Sequence, residues 1–243
     1  MGRFVDCHSH VVPSGDDGAG SIDEGLALCH SAAAHGTAIL FATPHVWTNF
    51  TLSEERRSEV KAAFDQMKRR AGLELRLGYE LTPARPLLEE DPARYVLEGT
   101  DRVLVEVPFT GPAGLLLAVA EHIEASGLRP VIAHPERAES VLGDPNLADK
   151  LAERGWTLQV NATSLLGRHG HESEQLAWEL VERGLAKVVA SDGHRATRPA
   201  HLDEAARLVE RRLGPQAASL FDGSALGLAT SRCTASRAGS PGA

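Results

Sequence analysis

Residues 102–137 read RVLVEVPFTGPAGLLLAVAEHIEASGLRPVIAHPER and contain two strand-like runs on either side of a helix-like one. The apolar runs Arg102–Val107 and Pro130–Ala133 are short and rich in branched residues, which is typical of buried strands. Between them, Ala113–Ala125 is amphipathic with helical periodicity, and Gly127 follows as a helix-terminating residue. A strand, a helix and a second strand in this order predict a βαβ unit with parallel strands.

The same alternation extends along the rest of the chain. The predicted strands are Arg3–Cys7, Ala38–Ala42, Leu73–Tyr79, Arg102–Val107, Pro130–Ala133, Thr157–Val160 and Lys187–Ala190. The predicted helices are Ile22–Ala34, Ser53–Arg70, Ala113–Ala125, Pro145–Glu153, Glu172–Arg183 and Leu202–Arg212. About seven β–α units with short links predict an α/β fold of one domain, either a closed barrel or an open doubly wound sheet.

Composition and charge exclude several classes of protein. The 243 residues are 42% hydrophobic and 24% charged, which indicates a globular protein, and the net charge of −8 argues against binding to nucleic acid or anionic membranes by charge. No run approaches the roughly 18 apolar residues of a membrane helix, the first residues become polar too early for a signal peptide, and the three cysteines form no pattern. We therefore expect a cytoplasmic protein with its domain over residues 1–228 and a disordered tail over residues 229–243.

Side chains that bind metals follow six of the seven predicted strands. The carboxyl ends of barrel strands meet at one face, so side chains at these ends lie close together. The candidate ligands are His8, His10, Asp17, His45, Glu80, Glu106, His134, Asp192 and His194. One histidine after a strand is more often an ordinary polar residue, and it is the recurrence at six strands that predicts a metal centre. The remaining six histidines lie in helices or in a loop and are expected to be non-ligands.

The ligand set limits the chemistry of this centre. Nine ligands are too many for one ion and indicate two or three. Imidazoles and carboxylates without thiolates suit Mn, Fe, Zn or Co. Arg137 and Arg198 lie just beyond ligand-bearing segments and have the guanidinium groups that bind phosphate. The chain lacks the C-x5-R, G-x-x-x-x-G-K-[ST] and G-x-S-x-G motifs, which leaves metal-activated water as the strongest candidate for catalysis.

Seven segments resemble one known superfamily in their order along the chain. They are DCHSHVVPSGDDGA, FATPHV, LGYEL, VLVEVPF, PVIAHPERAE, LQVNATSLLGR and VVASDGHRATRP, and they span residues 6 to about 199. The chain is similar to the PHP (polymerase and histidinol phosphatase) superfamily, and within it to the manganese-dependent protein-tyrosine phosphatases of bacterial capsule and exopolysaccharide clusters. The resemblance implies a PHP phosphoesterase domain with a distorted (β/α)7 barrel, which is TIM-like, and a centre of two or three Mn ions.

The resemblance also implies how the ligands are shared among three ions. The implied sets are His8, His10, Glu80 and Asp192; Glu80, Glu106 and His134; and Asp17, His45 and His194. It selects Asp17 rather than Asp16, a choice that spacing alone leaves open. It assigns phosphate binding to Arg137 and Arg198, although the loop before Arg198 is about one residue shorter than in the family, which makes Arg195 a competitor.

The implied activity is hydrolysis of phosphotyrosine in a protein, with the tail of a bacterial tyrosine autokinase that controls polysaccharide export as partner. Four aromatic residues that follow ligand-bearing strands are candidates for a phenyl slot or for ordinary loop packing: Trp47, Phe50, Tyr79 and Phe109. The main alternative is a PHP phosphoesterase acting on a small metabolite such as histidinol phosphate or a nucleotide. A metal-dependent amidohydrolase fits less well, because no lysine that could bridge metals lies at a strand end, and a non-catalytic metal-binding protein has little need of nine ligands.

Overall fold

Parallel strands alternate with helices throughout the protein, for which a computed structural model describes residues 4–144 and 146–228. The strands are β1 (Phe4–Asp6), β2 (Thr37–Ala42), β3 (His45–Val46), β4 (Glu74–Leu77), β5 (Glu80–Leu81), β6 (Arg102–Glu106), β7 (Arg129–Ala133), β8 (Thr157–Asn161) and β9 (Ala186–Ala190). The α-helices are α1 (Ile22–Ala34), α2 (Glu54–Lys68), α3 (Gly114–Ala125), α4 (Glu139–Gly143), α5 (Asn146–Glu153), α6 (Ala162–Leu165), α7 (His171–Glu182) and α8 (Asp203–Leu213). The α/β prediction is therefore confirmed.

Two bent strands join a three-stranded sheet, in the order β1-β2-β4, to a six-stranded sheet, in the order β3-β5-β6-β7-β8-β9. All pairs of neighbouring strands are parallel. β3 continues β2 after a bend at Pro44, which has no N–H to donate, and β5 continues β4 after a bend at Gly78. The bends stay bonded to each other, since Gly78 N donates to Ala42 O (2.9 Å) and Glu80 N donates to Pro44 O (3.2 Å). The nine segments thus amount to the seven strands that the sequence predicts.

The first and last strands meet at their carboxyl ends. His10 N donates to Gly193 O (2.7 Å), and Asp192 N donates to His8 O (2.9 Å). Lower down, β1 bonds to the C-terminal segment instead, where Val5 N donates to Phe221 O (2.8 Å). The strands therefore follow one another around a ring whose joint is distorted below the point where the site lies.

Alternate residues of the strands face the inside of this ring. Leu104 of β6, Val131 of β7 and Val188 of β9 belong to a small inner apolar cluster together with Cys7, whereas their strand neighbours pack against the helices. Cys7 is a fully buried core residue, and its burial raises the pKa of the thiol well above the usual value. Two positions beyond Leu104 on the same face is Glu106, which the pleat therefore turns inward.

Helix ends agree with the sequence. Ser21 and Ser53 accept hydrogen bonds from Glu24 N and Arg56 N and so act as the N-caps of α1 and α2. Gly127 follows α3 with a φ of +83°, a conformation that glycine adopts at little cost. The domain boundary at residue 228 stays a prediction, and Arg3, Pro145 and the predicted disordered tail 229–243 lie outside the described residues. No helix in the described ranges has the length and apolar character that crossing a bilayer requires.

Candidate metal centre

The strand ends bring all nine predicted ligands together at one face of the ring. They come from the segment after β1 (His8, His10 and Asp17), the first residues of β3 and β5 (His45 and Glu80), the last residue of β6 (Glu106), the residue after β7 (His134) and the segment after β9 (Asp192 and His194). Most are almost fully buried, whereas the Asp17 side chain is 63% exposed and marks the open side of the cluster.

Glu80 lies at the centre of this cluster. Its Oε2 atom is 3.1 Å from His8 Nε2, 3.3 Å from His10 Nε2 and 3.0 Å from His45 Nδ1. Its Oε1 atom is 3.0 Å from His134 Nε2. Although buried, Oε2 forms no hydrogen bond with the described residues. The two oxygens of this carboxylate therefore face four histidines, three at Oε2 and one at Oε1, which is the arrangement needed to bridge neighbouring cations.

Four overlapping groups of ligand atoms are each compact enough to surround one ion. They are His8, His10 and Glu80; His8, His134 and Asp192; Glu80, Glu106 and His134; and His10, Asp17, His45 and His194. Two atoms that bind the same ion at about 2.1 Å are roughly 3.0–3.5 Å apart in tetrahedral or octahedral geometry. His8 Nε2 lies 3.4 Å from Asp192 Oδ1, and Asp17 Oδ1 lies 3.4 Å from both His45 Nε2 and His194 Nε2. The residues present thus fit a multinuclear centre of divalent cations.

Burial and neighbouring charges set the protonation of this centre. Burial raises the pKa of Glu80, but the charges of His8 and His45 outweigh it and hold the pKa well below the usual value. Glu106 shifts the other way, because burial and the negative charge of Glu80 both raise its pKa. Glu80 and Asp17 raise the pKa of His45 to about 9 against the effect of burial. Ionised carboxylates held among imidazoles in a buried site make it attractive to cations.

His134 and Asp192 have strained backbones. Their φ angles are +36° and +52°, and they are the only non-glycine residues with positive φ in the described part of the chain. The left-handed conformation costs roughly 1–3 kcal/mol for such residues and persists where the surrounding structure requires it, often at functional sites. Both strained residues belong to the cluster. The strain lowers the stability of the fold and accompanies the inward direction of these two side chains.

The two carboxylates of the Asp16-Asp17-Gly18 turn have different partners. Asp16 accepts backbone hydrogen bonds from His45 N (3.0 Å) and Gly18 N (3.1 Å), whereas Asp17 faces two histidines of the cluster. A Cβ atom at Gly18 would lie 2.4 Å from His10 O, so a larger residue would push the turn away. Asp16 therefore holds the turn in place, and Asp17 is the one available to a cation.

Both predicted arginines contact the cluster through Asp192. Arg137 Nη1 lies 3.0 Å and Arg198 Nη2 lies 2.9 Å from Asp192 Oδ2, and Arg198 also donates from Nε and Nη2 to Asp192 O. Arg195 points elsewhere, with Nε donating to Asp17 O and Nη1 lying 3.7 Å from Glu24 Oε1. Of the two competing arginines, Arg198 is thus the one whose guanidinium group contacts a ligand carboxylate, whereas Arg195 contacts the backbone of Asp17.

Phe109 is the large hydrophobic side chain most open to solvent in the described residues, at 44% exposure. Its ring lies parallel to the His134 imidazole at 5.3 Å between centroids, and the Arg137 guanidinium lies 4.6 Å from its centroid. Trp47 contacts His45 on another side of the cluster, 4.8 Å between centroids. Tyr79 is only 4% exposed and packs edge-on against a second buried tyrosine, so of its two alternatives the structure favours ordinary packing.

The inner face of β8 contributes polar residues that lie beside the cluster. Gln159 lies beside His8, and Asn161 lies beside Asp192 and receives support from Glu136, whose carboxylate accepts from Asn161 N (3.0 Å). All are fully buried. The signal that identifies them is polar residues at alternate positions of a buried strand, T-L-Q-V-N over residues 157–161, where the other strands have apolar ones.

Comparisons with known proteins find relatives that match most of this chain. A family model described as "Capsular polysaccharide synthesis, CpsB/CapC" matches residues 4–222. The tyrosine-protein phosphatase YwqE of Bacillus subtilis is 30% identical over 222 residues, which cover 88% of this chain and 86% of YwqE. The putative tyrosine-protein phosphatase CapC of Staphylococcus aureus is 29% identical over 203 residues, which cover 80% of this chain and 78% of CapC.

Solved structures agree with the sequence matches. One crystal structure comes from work on YwqE of Bacillus subtilis and CpsB of Streptococcus pneumoniae, which describes them as unique metal-dependent tyrosine phosphatases. It superposes on this chain with a TM-score of 0.81 at 27% identity, over 91% of this chain and 92% of the other. A β-aspartyl dipeptidase from Fervidobacterium islandicum superposes with a TM-score of 0.57 at 16% identity, over 94% of this chain and 75% of the other. This second likeness concerns the fold alone.

Proposed function

The chain belongs to the CpsB/CapC family of capsular polysaccharide synthesis, and from this premise we propose that it is a metal-dependent phosphatase that hydrolyses phosphotyrosine in proteins. Membership confirms the resemblance drawn from the sequence motifs. The observation that carries the proposal is the convergence of nine ligands on one face beside two arginines. These relatives are named tyrosine phosphatases, which favours this activity over hydrolysis of a small phosphorylated metabolite.

The nine residues would hold two or three divalent ions in the sets that the family resemblance implies. Glu80 would bridge the sets, since its two oxygens face different histidines. We propose Mn²⁺ as the metal, and Fe, Zn and Co accept the same imidazole and carboxylate ligands. When bound, such ions polarise a phosphoryl oxygen and lower the pKa of a water molecule that then serves as nucleophile near neutral pH.

Arg137 and Arg198 would bind the non-bridging oxygens of the phosphoryl group. Asp192 already fixes both guanidinium groups at its Oδ2 atom, so little reorganisation is needed when charge develops in the transition state. Each arginine retains N–H groups without a partner among the described residues, and these are free to donate to phosphate. The leaving group is a phenolate with a pKa of about 10, so weak or no protonation by the protein suffices.

The substrate would be a tyrosine-phosphorylated protein, and the tail of a bacterial tyrosine autokinase that controls polysaccharide export is the partner that we propose. Phe109 stands at the rim beside His134 and Arg137, where a phenyl ring attached to the bound phosphate would lie. We propose that this reaction takes place in the cytoplasm.

The test combines metal counting with a substrate panel. Elemental analysis of the purified protein should give two or three ions per chain, and release of phosphate from a phosphotyrosine peptide should require Mn²⁺ and stop with chelator. Phosphoserine peptide, histidinol phosphate and a nucleotide serve as competing substrates. A strong preference for one of the small metabolites would replace the proposal with the alternative, and a protein that takes up no metal would refute both.

Two alanine variants test the ligands themselves. Glu106→Ala and His194→Ala remove one ligand each from different sets and should lower turnover by more than about 1000-fold, since several kcal/mol of transition-state stabilisation depend on the ions. Circular dichroism should show that both remain folded. Full activity in both variants would contradict the metal assignment.

A further inference from the structure

A continuous line of side-chain hydrogen bonds crosses the inside of the ring along β8. His8 Nδ1 lies 3.0 Å from Gln159 Oε1, Gln159 Nε2 donates to Asn161 Oδ1 (2.8 Å), and Asn161 Nδ2 donates to Asp192 Oδ2 (2.8 Å). All four side chains are almost or completely buried. The line thus starts at one candidate ligand and ends at another, and we call it the β8 relay.

The relay has one consistent direction. Asp192 Oδ2 also lies 3.0 Å from Arg137 Nη1 and 2.9 Å from Arg198 Nη2, and a guanidinium group only donates, so this oxygen accepts its hydrogen bonds. Asn161 must then present Nδ2 to Asp192 and Oδ1 to Gln159. Gln159 must in turn present Nε2 to Asn161 and Oε1 to His8.

The end of the relay determines the tautomer of His8. Since Oε1 of Gln159 only accepts, His8 Nδ1 must bear the hydrogen, and Nε2 retains its lone pair. That Nε2 atom lies 3.1 Å from Glu80 Oε2 and 3.4 Å from Asp192 Oδ1, at the position proposed for an ion. The opposite tautomer would turn N–H toward that position and leave no lone pair for a metal.

Two buried amides in the ring need a reason, because the paired positions of the neighbouring strands hold apolar residues: Ala133 and Val188 beside Gln159, and Ala190 beside Asn161. A buried amide costs free energy unless its hydrogen bonds are made. Asn161 is tied further through its backbone N to Glu136 Oε1 (3.0 Å), which fixes the strand end where the relay meets Asp192. The two amides on the inner face of β8 therefore have their hydrogen bonds made, and the network that they form ends at a candidate ligand on either side.

We propose that Gln159 and Asn161 are positioning residues that fix the His8 tautomer and orient Asp192 toward the same ion. The proposal rests on the proposed function only in that a divalent cation occupies the cluster. Partners that orient metal-binding histidines change metal affinity by roughly 10- to 100-fold when they are replaced. This effect is separate from contact with substrate, because neither amide reaches the open side of the cluster.

Gln159→Met tests the relay with a side chain of similar length and no hydrogen-bonding groups. Its matched control is Thr157→Val, which removes a polar atom from the same face of the same strand, where Thr157 contacts Arg102 rather than the cluster. Titration with Mn²⁺ alone, followed by the electron paramagnetic resonance signal of free Mn²⁺, should show a 10- to 100-fold loss of affinity at one site in Gln159→Met and less than about threefold in the control. Saturating Mn²⁺ should restore much of the turnover. Binding by Gln159→Met that matches the control would overturn the proposal.

A second measurement uses the wild-type protein, so it is decisive even if Gln159→Met does not fold. In Zn²⁺-loaded protein labelled with ¹⁵N-histidine, His8 should show a protonated Nδ1 and a metal-bound Nε2, and the reverse would overturn the proposal. Phosphotyrosine hydrolysis by the wild type is measured separately. If the wild type is inactive while Gln159→Met loses Mn²⁺ affinity, the proposed function fails and the positioning role stands. If the wild type is active while Gln159→Met binds Mn²⁺ as the wild type does, the proposed function stands and the positioning role fails.

Discussion

Arg198→Ala is expected to lower kcat/KM for a phosphotyrosine peptide by roughly 100-fold, while Arg195→Ala changes it by less than about threefold. The two arginines occupy the same short turn, in which Arg198 N donates to Arg195 O (2.8 Å). They differ in where their guanidinium groups lie, beside Asp192 for Arg198 and beside Glu24 for Arg195. The pair therefore separates the effect of position from that of charge.

The expected 100-fold loss of kcat/KM follows from the hydrogen-bond donors of Arg198 that have no protein partner. Its Nε and Nη2 groups donate to Asp192, which leaves the two N–H groups of Nη1 without a partner in the described ranges. One or two charge-assisted bonds to a phosphoryl oxygen contribute about 3 kcal/mol in total to the transition state. At about 1.4 kcal/mol for each factor of ten, their loss lowers the rate roughly 100-fold.

Metal binding should survive this change. Asp192 Oδ2 still accepts from Arg137 Nη1 (3.0 Å) and Asn161 Nδ2 (2.8 Å) when Arg198 is absent, so the carboxylate keeps its orientation. Mn²⁺ affinity of Arg198→Ala should therefore stay within about threefold of the wild type. Arg198→Lys restores the charge without the planar fork and should recover only part of the activity.

The assay is steady-state phosphate release at saturating Mn²⁺, together with inhibition by inorganic phosphate. Weaker inhibition by phosphate should accompany the lost activity in Arg198→Ala. A larger loss in Arg195→Ala than in Arg198→Ala would refute the assignment and give the role to Arg195. Equal losses in both variants would show that the turn as a whole, rather than one guanidinium, determines activity.

Two further predictions concern Phe109 and His169. Phe109→Ala should raise KM for a phosphotyrosine peptide by about 2- to 10-fold, the worth of one aromatic contact, without changing the activity toward a phosphoserine peptide, and equal effects on both peptides would count against a phenyl contact. Burial and the positive charge of Arg137 lower the pKa of His169 to about 4, so its neutral form is favoured in the folded state and unfolding takes up a proton between pH 6.5 and 4. Stability of the metal-free protein should therefore fall as the pH drops through this range, and His169→Gln should reduce that fall by about 2 kcal/mol, less than the full shift implies because the ring is partly exposed. Denaturant unfolding at several pH values measures the pH dependence of the free energy of unfolding, with substitution of the exposed His171 by Gln (His171→Gln) as control. An identical pH profile for His169→Gln and the wild type would refute the reasoning.

The convergence of ligands followed from sequence because it depends on strand ends alone. A strand has a period of two, so an inward Leu104 implies an inward Glu106 once the strand is recognised. The separate segments β3 and β5 were not predicted, since a strand that resumes after two irregular residues at Thr43-Pro44 or Gly78-Tyr79 is too short to show any period.

The β8 relay and the choice between arginines depended on three-dimensional contacts. Gln159 and Asn161 stand out as polar residues in a buried strand, but their partners His8 and Asp192 are remote in sequence. The direction of the Arg198 side chain depends on how a turn folds over the cluster, which no local pattern encodes. Positive φ at His134 and Asp192 likewise depends on the surrounding ring, which no local pattern shows.

The joint of the ring ties residues 8–10 to residues 192 and 193, and this separation governs when a newly made chain can acquire its metals. A ribosome adds about 5–20 residues per second, so roughly 10–40 s pass between synthesis of His8 and synthesis of Asp192. Throughout that interval the growing chain lacks both ligands that follow β9. Bringing such distant segments together costs about 4–5 kcal/mol of chain entropy, which bound cations help to offset. The full set of candidate metal ligands is therefore available only after nearly all of the ring has been synthesised.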